Sequence, residues 1–307
     1  MATNSQLSTA DWPAIACLCP TYGRFERLRD VVACFLLQDY GPQHAAEEGV
    51  VTLLVLNDAP VPIRLAAGGA VQDIQASPED SRQELSISAS RRVVVINQPE
   101  RFASLGQKRQ WLLEAARTEL VAHWDDDDIY LPWHLSQTVE ALLAHPVATC
   151  AKPSPSCVKA QAAWFITGPR QGPFQCRGIH HNVFEGQMVF RRDRALKLGG
   201  YPALDSGQAK ALLDAFRREG ELHEWDPADA DVSYVYRWGD GADHVSARRA
   251  QTRDADFGRG EPLVSGEDPL VWARERLSRQ FEGILRGLRP YLSVEDWGRM
   301  SARLLAA

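Results

Sequence analysis

Leu105 to Pro132 reads LGQKRQWLLEAARTELVAHWDDDDIYLP. Trp111, Leu112, Ala115 and Ala116 recur at helical spacing, and Leu120 to Trp124 is an apolar strand that runs straight into Asp125. The same order holds upstream. Ile15 to Cys19 is a short buried run closed by Pro20, after which Phe25, Leu28, Val31, Val32, Phe35 and Leu36 share one helical face until QDYGP. Leu53 to Leu56 ends on Asn57 and Asp58, and Val93 to Ile96 ends on Asn97. Strands alternating with helices, each strand apolar on both faces, predict an α/β fold whose mostly parallel sheet is covered by helices on both sides.

The chain has 307 residues, 45% hydrophobic and 24% charged, with a formal net charge of -6. That balance excludes disordered, collagenous and nucleic-acid-binding classes, and the length allows a full core. A mean hydropathy of -0.30, with no apolar run near the ~18 residues of a membrane span, argues against an integral membrane protein. MATNSQLSTADWP lacks the basic and apolar stretches of a secretory signal, so a cytoplasmic location is expected. Cys17, Cys19, Cys34, Cys150, Cys157 and Cys176 show no zinc-type spacing and are expected to be reduced.

Further along, Pro60 to Arg92 reads as a surface excursion, Gln187 to Phe190 and Val232 to Trp238 as strands, and Ala209 to Phe216 as a helix. From Pro269 to Leu305 the pattern is helical, with Ser293 and Asp296 as a capping box for the last helix. The expected layout is a tail over 1–12, a nucleotide-binding half over 13–140, an acceptor-side half over 141–260 and a helical C-terminal extension over 261–307.

In parallel α/β sheets ligands bind outside the carboxyl ends of the strands. Those ends read PTYGR (Pro20 to Arg24), NDAP (Asn57 to Pro60), NQPERFASLGQKR (Asn97 to Arg109) and DDDD (Asp125 to Asp128). Four aspartates closing an apolar strand repel one another, and a bound cation is the usual remedy. In an extended segment Asp125 and Asp127 point together while Asp126 points elsewhere, a DxD arrangement whose oxygens suit Mg²⁺ or Mn²⁺. The glycine and glutamate of an EF-hand are missing downstream.

CLCPTYGR, LLVLNDAP and LGQKRQWLLEAARTELVAHWDDDDIYLP together resemble the nucleotide-binding half of a glycosyltransferase family 2 enzyme with the Rossmann-like GT-A fold. The likeness covers residues 13 to 140 closely. Through GQMVFRRDRALKLGGYP (Gly186 to Pro202) it reaches residue 250 more weakly. The resemblance implies a metal-dependent transferase moving a sugar from a nucleotide diphosphate sugar, a UDP-sugar by preference, to a glycan, lipid or small-molecule hydroxyl with inversion.

It also implies site residues. Asp58 would accept the base N–H; Pro20, Thr21, Tyr22 and Arg24 would line base and ribose; Lys108 and Arg109 would offset the diphosphate. Asp125 would touch ribose or metal, Asp126 the nucleotide, and Asp127 the metal, with Asp128 completing the motif. After the glycine-rich turn the family carries a Glu-Asp pair, often with the catalytic base. Here Gln208 and Ala209 stand there, which leaves Asp205 as the candidate base and a catalytically impaired binding module as the alternative. In YVYRWGDGADHVS, His244 is the candidate for the family's late metal-side histidine. Against a nucleotidyltransferase, PTYGRFERLRD has a single glycine where a phosphate loop would be rich in them.

Overall fold

The computed structural model describes residues 12–40, 51–67, 70–71, 82–88, 90–144, 155–166, 174–177, 185–237, 263–264 and 268–306. The first half runs β1 (Ile15–Thr21), α1 (Phe25–Leu36), β2 (Val51–Asn57), the short pair β3 (Ala66–Ala67) and β4 (Ala70–Val71), then β5 (Arg82–Ser88) and β6 (Arg91–Asn97). It continues with α2 (Leu105–Ala115), β7 (Leu120–His123), β8 (Ile129–Tyr130) and α3 (His134–Leu143). The second half holds β9 (Cys157–Ala160), β10 (Ala162–Ile166), β11 (Phe174–Arg177), β12 (Val189–Arg191), α4 (Arg192–Lys197), α5 (Gln208–Arg218), β13 (Leu222–Trp225) and β14 (Tyr234–Arg237). Two helices, α6 (Pro269–Leu288) and α7 (Val294–Ala306), close the chain.

Both halves build one eight-stranded sheet, in the order β13-β9-β12-β7-β1-β2-β6-β5. Its centre is parallel: β1 pairs with β2 and β7, and β2 with β6, all in the same direction. β12 runs antiparallel to β7 and β9, and β5 antiparallel to β6. A second sheet, β11-β10-β14-β8, stands beside it.

The two-sided burial read from the sequence follows the two-residue strand period. Ile15, Cys17 and Cys19 of β1 join Leu53, Val55, Val93 and Val95 in one core with α1, α3, α6 and α7. Ala16, Leu18, Leu54, Leu56, Val94 and Ile96 face the other way, onto α2 and α5. The mostly parallel α/β architecture expected from the sequence is therefore the one present.

Some expectations change. Pro60 to Arg92 is not only an excursion, because it contains β5, an edge strand on which only Leu85 and Ile87 are apolar and half-buried. An edge strand with one wet face carries too few apolar residues to stand out in a Ser- and Gln-rich stretch. Gln187 belongs to a 3₁₀ turn (Glu185–Gln187), so the strand begins at Val189. The C-terminal helical run is broken at Arg289–Tyr291, where Pro290 cannot supply a helix N–H. Ser293 caps the last helix as expected: Asp296 N–H donates to Ser293 Oγ at 3.0 Å, and that hydroxyl, in place of the backbone N–H of a full capping box, meets Asp296 Oδ2 at 2.7 Å.

Cys17, Cys19, Cys34 and Cys157 are free and buried. Cys150 and the side chain of Cys176 lie outside the described residues, as do Trp238 and His244. Among the described residues no helix is long and apolar enough to cross a membrane.

Candidate functional site

In-register parallel pairing brings Thr21, Asn57 and Asn97 level at one edge of the sheet. Trp124 N–H donates to Leu18 O at 3.1 Å, so the chain leaves β7 beside the end of β1 and delivers the acidic turn next to PTYGR. The two asparagines serve the scaffold. Asn57 Nδ2 donates to Asn97 Oδ1 at 2.9 Å, and Asn97 Oδ1 also accepts Ile63 N–H at 2.7 Å, which fixes the loop after NDAP.

Helix α2 supplies the basic side of the site. Ser104 caps it, accepting Gln107 N–H at 3.2 Å. Its second residue packs so close to the loop after GGYP that a Cβ on Gly106 would lie 1.8 Å from Pro202 O, a contact only glycine allows. Seated this way, α2 buries both of its cations inward, Lys108 at 4% exposure and Arg109 at 8%. Lys108 Nζ donates to Thr21 O and to Asp58 Oδ1, joining the ends of β1 and β2. Asp58 Oδ2 accepts Phe102 N–H at 3.0 Å. Burial lowers the Lys108 pKa while Asp58 opposes it. Each carboxylate oxygen keeps a second acceptor site, so these contacts leave Asp58 able to take a base N–H.

PTYGR splits in two. Pro20 pairs within β1 opposite Leu56, and Thr21 contributes its carbonyl to Lys108. Tyr22 is half-buried beneath the Arg101 guanidinium, 4.4 Å from its ring centroid. Gly23, at φ 68, then turns the backbone through the left-handed region. Arg24 turns its guanidinium onto both Asp126 and Asp127. Burial works against charge on Arg24, yet Asp126 and then Asp127 outweigh it and raise its pKa.

The acidic turn departs from the expected alternation because β7 ends at His123 and the chain turns at residues 126 and 127. Asp126 and Asp127 share Arg24, whereas Asp125 pairs with Arg109 and lies 3.1 Å from His123 Nε2. Asp128 is fully buried, accepting Tyr234 O–H and Arg237 N–H, the latter at 3.1 Å. Arg237 Nε also donates to Asp127 O. Burial, then Asp127 and Asp125, push the Asp128 carboxyl well above the usual range, and burial raises Asp126 as well against the pull of Arg24.

The donor set has the hard oxygens a Mg²⁺ or Mn²⁺ site needs, but they are already engaged. Asp125, Asp126 and Asp127 each carry a guanidinium partner, and Asp128 has a donor on each oxygen. Among the described residues no three His, Cys, Asp or Glu side chains stand together as a metal site. In this arrangement the carboxylates do not fit a divalent cation.

On the acceptor side, Asp205 is exposed on the loop whose Leu204 O accepts Gly106 N–H at 2.9 Å, and no hydrogen bond or ion pair engages its carboxylate among the described residues. It does not cap α5, which starts from Gly207 without a side-chain cap. Gln208 and Ala209 are buried, and Asp214 pairs with Lys210 and Arg217.

Sequence reasoning missed His123, whose Nδ1 lies 3.2 Å from the Tyr201 hydroxyl of GGYP. Burial and then Arg109 lower its pKa, against the pull of Asp125. A polar residue inside the apolar run LVAHW was the available signal. Glu185, half-buried just before β12, was missed too; burial raises its carboxyl, with Lys159 and Arg109 pulling down and Asp125 up. No motif marked it.

The family model described as Glycosyl transferase family 2 matches residues 75–198. The resemblance is borne out over those residues. The glycosyl transferase family 2 match takes in LGQKR, the four aspartates and GQMVFRR, and leaves PTYGR and NDAP outside. No curated protein matches the chain. Among solved structures, S. aureus TarS 1-349 in complex with UDP-GlcNAc is 14% identical with a TM-score of 0.48, over 95% of this chain and 79% of that one. The mannosyltransferase PcManGT from Pyrobaculum calidifontis, in complex with GDP-Man and Mn2+, is 16% identical with a TM-score of 0.47, over 97% and 87%. A further S. aureus TarS structure is 12% identical with a TM-score of 0.47 over 76% of this chain, which spans 38% of that protein's chain.

Proposed function

We propose that this protein is a glycosyltransferase that takes a sugar from a nucleotide diphosphate donor, a UDP-sugar by preference, to a hydroxyl acceptor with inversion. What carries the reading is the meeting of four strand-end segments at one sheet edge, with the family match running through two of them. Asp58, at the mouth of β2, accepts the imide N–H of the base, and Tyr22 under Arg101 supplies a flat contact. Lys108 and Arg109, each paired with a carboxylate, bring cationic groups beside the place a diphosphate would take. The acceptor oxygen attacks the anomeric carbon as the bond to the diphosphate breaks, and the hydroxyl proton passes to a carboxylate, with Asp205 as the candidate.

Metal dependence, with Asp125, Asp127 and His244 as ligands, is the part of the sequence expectation that the ion pairs oppose, and no step is assigned to a cation. The proposal includes a cytoplasmic location, supported by the four free buried thiols. A second reading, a nucleotide-sugar binding module without turnover, is favoured by one observation: the family's acidic pair is replaced by Gln208 and Ala209, both buried.

The test is a thermal-shift screen of nucleoside diphosphates and their sugars, with Mn²⁺ and with chelator, followed by donor hydrolysis. Selective stabilisation by uridine compounds supports donor binding through mass action. Hydrolysis separates enzyme from module. No shift with any nucleotide would sink both.

A further inference from the structure

We propose that Arg24 is the resident counter-ion of the acidic turn: its guanidinium, not a divalent cation, balances Asp126 and Asp127, and a divalent cation gains these carboxylates only by displacing it. The assignment rests on the ion pairs, and its bearing on donor binding rests on the transferase reading above.

Asp126 is 1% exposed and Asp127 3%. Two adjacent carboxylates taken out of water repel each other and need a cation near both. Arg24 meets that need from 102 positions upstream of the first of them. The left-handed turn at Gly23 sets it at the start of α1, and its two terminal nitrogens divide between the acids, Nη2 to Asp126 Oδ1 and Nη1 to Asp127 Oδ2. A planar fork with two donors does this; an ammonium, a point charge, spans two carboxylates less well. The remaining acids offer no alternative cage, since Asp125 is engaged by Arg109 and Asp128 by Tyr234 and the Arg237 N–H. Arg237 Nε also bonds Asp127 O, which holds the backbone of the turn in place. A six-coordinate cation would therefore have to remove the guanidinium before gaining oxygens from both acids. Without Arg24, the same two buried acids become a strong attractor for a divalent ion.

The experiment measures Mn²⁺ binding to the metal-stripped full chain by electron paramagnetic resonance of free Mn²⁺. It compares the unmodified protein with Arg24→Gln, Arg24→Lys and the double variant Arg24→Gln/Asp127→Asn. The expected result is at least a tenfold tightening in Arg24→Gln, a smaller tightening in Arg24→Lys, and loss of the gain in the double variant. Unchanged or weaker Mn²⁺ binding in Arg24→Gln overturns the assignment. Should that variant fail to fold in the absence of metal, Arg24→Lys decides: tightening supports the assignment and no tightening overturns it. UDP binding in chelator and in Mn²⁺ is recorded on the same proteins. Absence of nucleotide binding under both conditions defeats the transferase reading and leaves the counter-ion assignment standing on its Mn²⁺ ratio.

Discussion

Replacing Lys108 by Met keeps the length of the side chain and removes its charge from a site where it holds two strands together. Lys108 is 4% exposed and its Nζ has two partners, Thr21 O and Asp58 Oδ1. The substitution leaves the Asp58 carboxylate, 6% exposed, with Phe102 N–H as its hydrogen-bond donor. Removing one partner of a buried pair costs about 3–5 kcal/mol, because the charge left behind has lost its water and gained nothing in return. Unfolding entropy scales with length, so in a chain of 307 residues this lowers the melting temperature by roughly 5–8 °C. Asp58→Asn should cost a similar amount from the other side, and the double variant Lys108→Met/Asp58→Asn should recover a large part. Denaturant unfolding of the four proteins, read as a double-mutant cycle, measures that coupling. Single effects below about 1 kcal/mol that simply add would refute the claim that this pair ties β1 to β2.

Three other outcomes are expected. Burial depresses the His134 pKa to about 3, while the unfolded imidazole titrates near ~6.5, so its contribution is complete above ~6.5 and falls as pH drops towards the folded value, by about 1.4 kcal/mol per unit. Between pH 7 and pH 5 the unmodified protein should lose about 2 kcal/mol more than His134→Gln; identical losses in chemical denaturation would remove the buried imidazole from the acid response. If Asp58 reads an imide N–H, UDP should bind about tenfold or more tightly than CDP, whose ring nitrogen there is an acceptor, and Asp58→Ala should erase the ratio. Equal calorimetric affinities in the unmodified protein would take base selection away from Asp58. Asp205→Asn should lower turnover at least ~100-fold with donor affinity nearly unchanged, and retained kcat would return the search for a base to other carboxylates such as Glu185.

The central sheet was legible because burial on both faces writes itself as unbroken apolar runs, and in-register pairing makes the strand ends coincide. Hence Asp58, Lys108 and Asp125 could be gathered into one place from sequence alone. What escaped was pairing across long separations. Nothing local in PTYGR says that Arg24 reaches Asp126 and Asp127, and an arginine in YVYRW gives no hint that it braces Asp127 from behind. The reading of the four aspartates assumed an extended backbone with alternate side chains aligned. The backbone instead turns at residues 126 and 127, where Asp127 shares Arg24 with Asp126 while Asp125 pairs with Arg109. Repulsion among adjacent acids is legible in the sequence; the guanidiniums of Arg24 and Arg109 that pair with three of them are not.

The C-terminal helices bear on the same turn. Arg237 Nη1 donates to Asp30 Oδ2 at 3.0 Å while its Nε holds Asp127 O, so β14 links α1 to the acidic turn. Asp30, 6% exposed, takes a second guanidinium from the far end of the chain, Arg276 Nε at 2.8 Å. Arg276 also donates to Glu26 O at 2.8 Å and Glu26 Oε2 at 2.9 Å, and below it Trp272, Ala273 and Leu277 enter the core that α1 shares with β1. Helix α6 thus packs on α1 and braces, through Asp30, the element whose first turn follows Arg24. A buried carboxylate between two arginines is held in place by both, and removal of either leaves a one-to-one pair with one carboxylate oxygen short of its guanidinium donor. The order of the acidic turn therefore depends on a helix more than 140 residues downstream of it, a dependence that a reading confined to the strand-end segments leaves out.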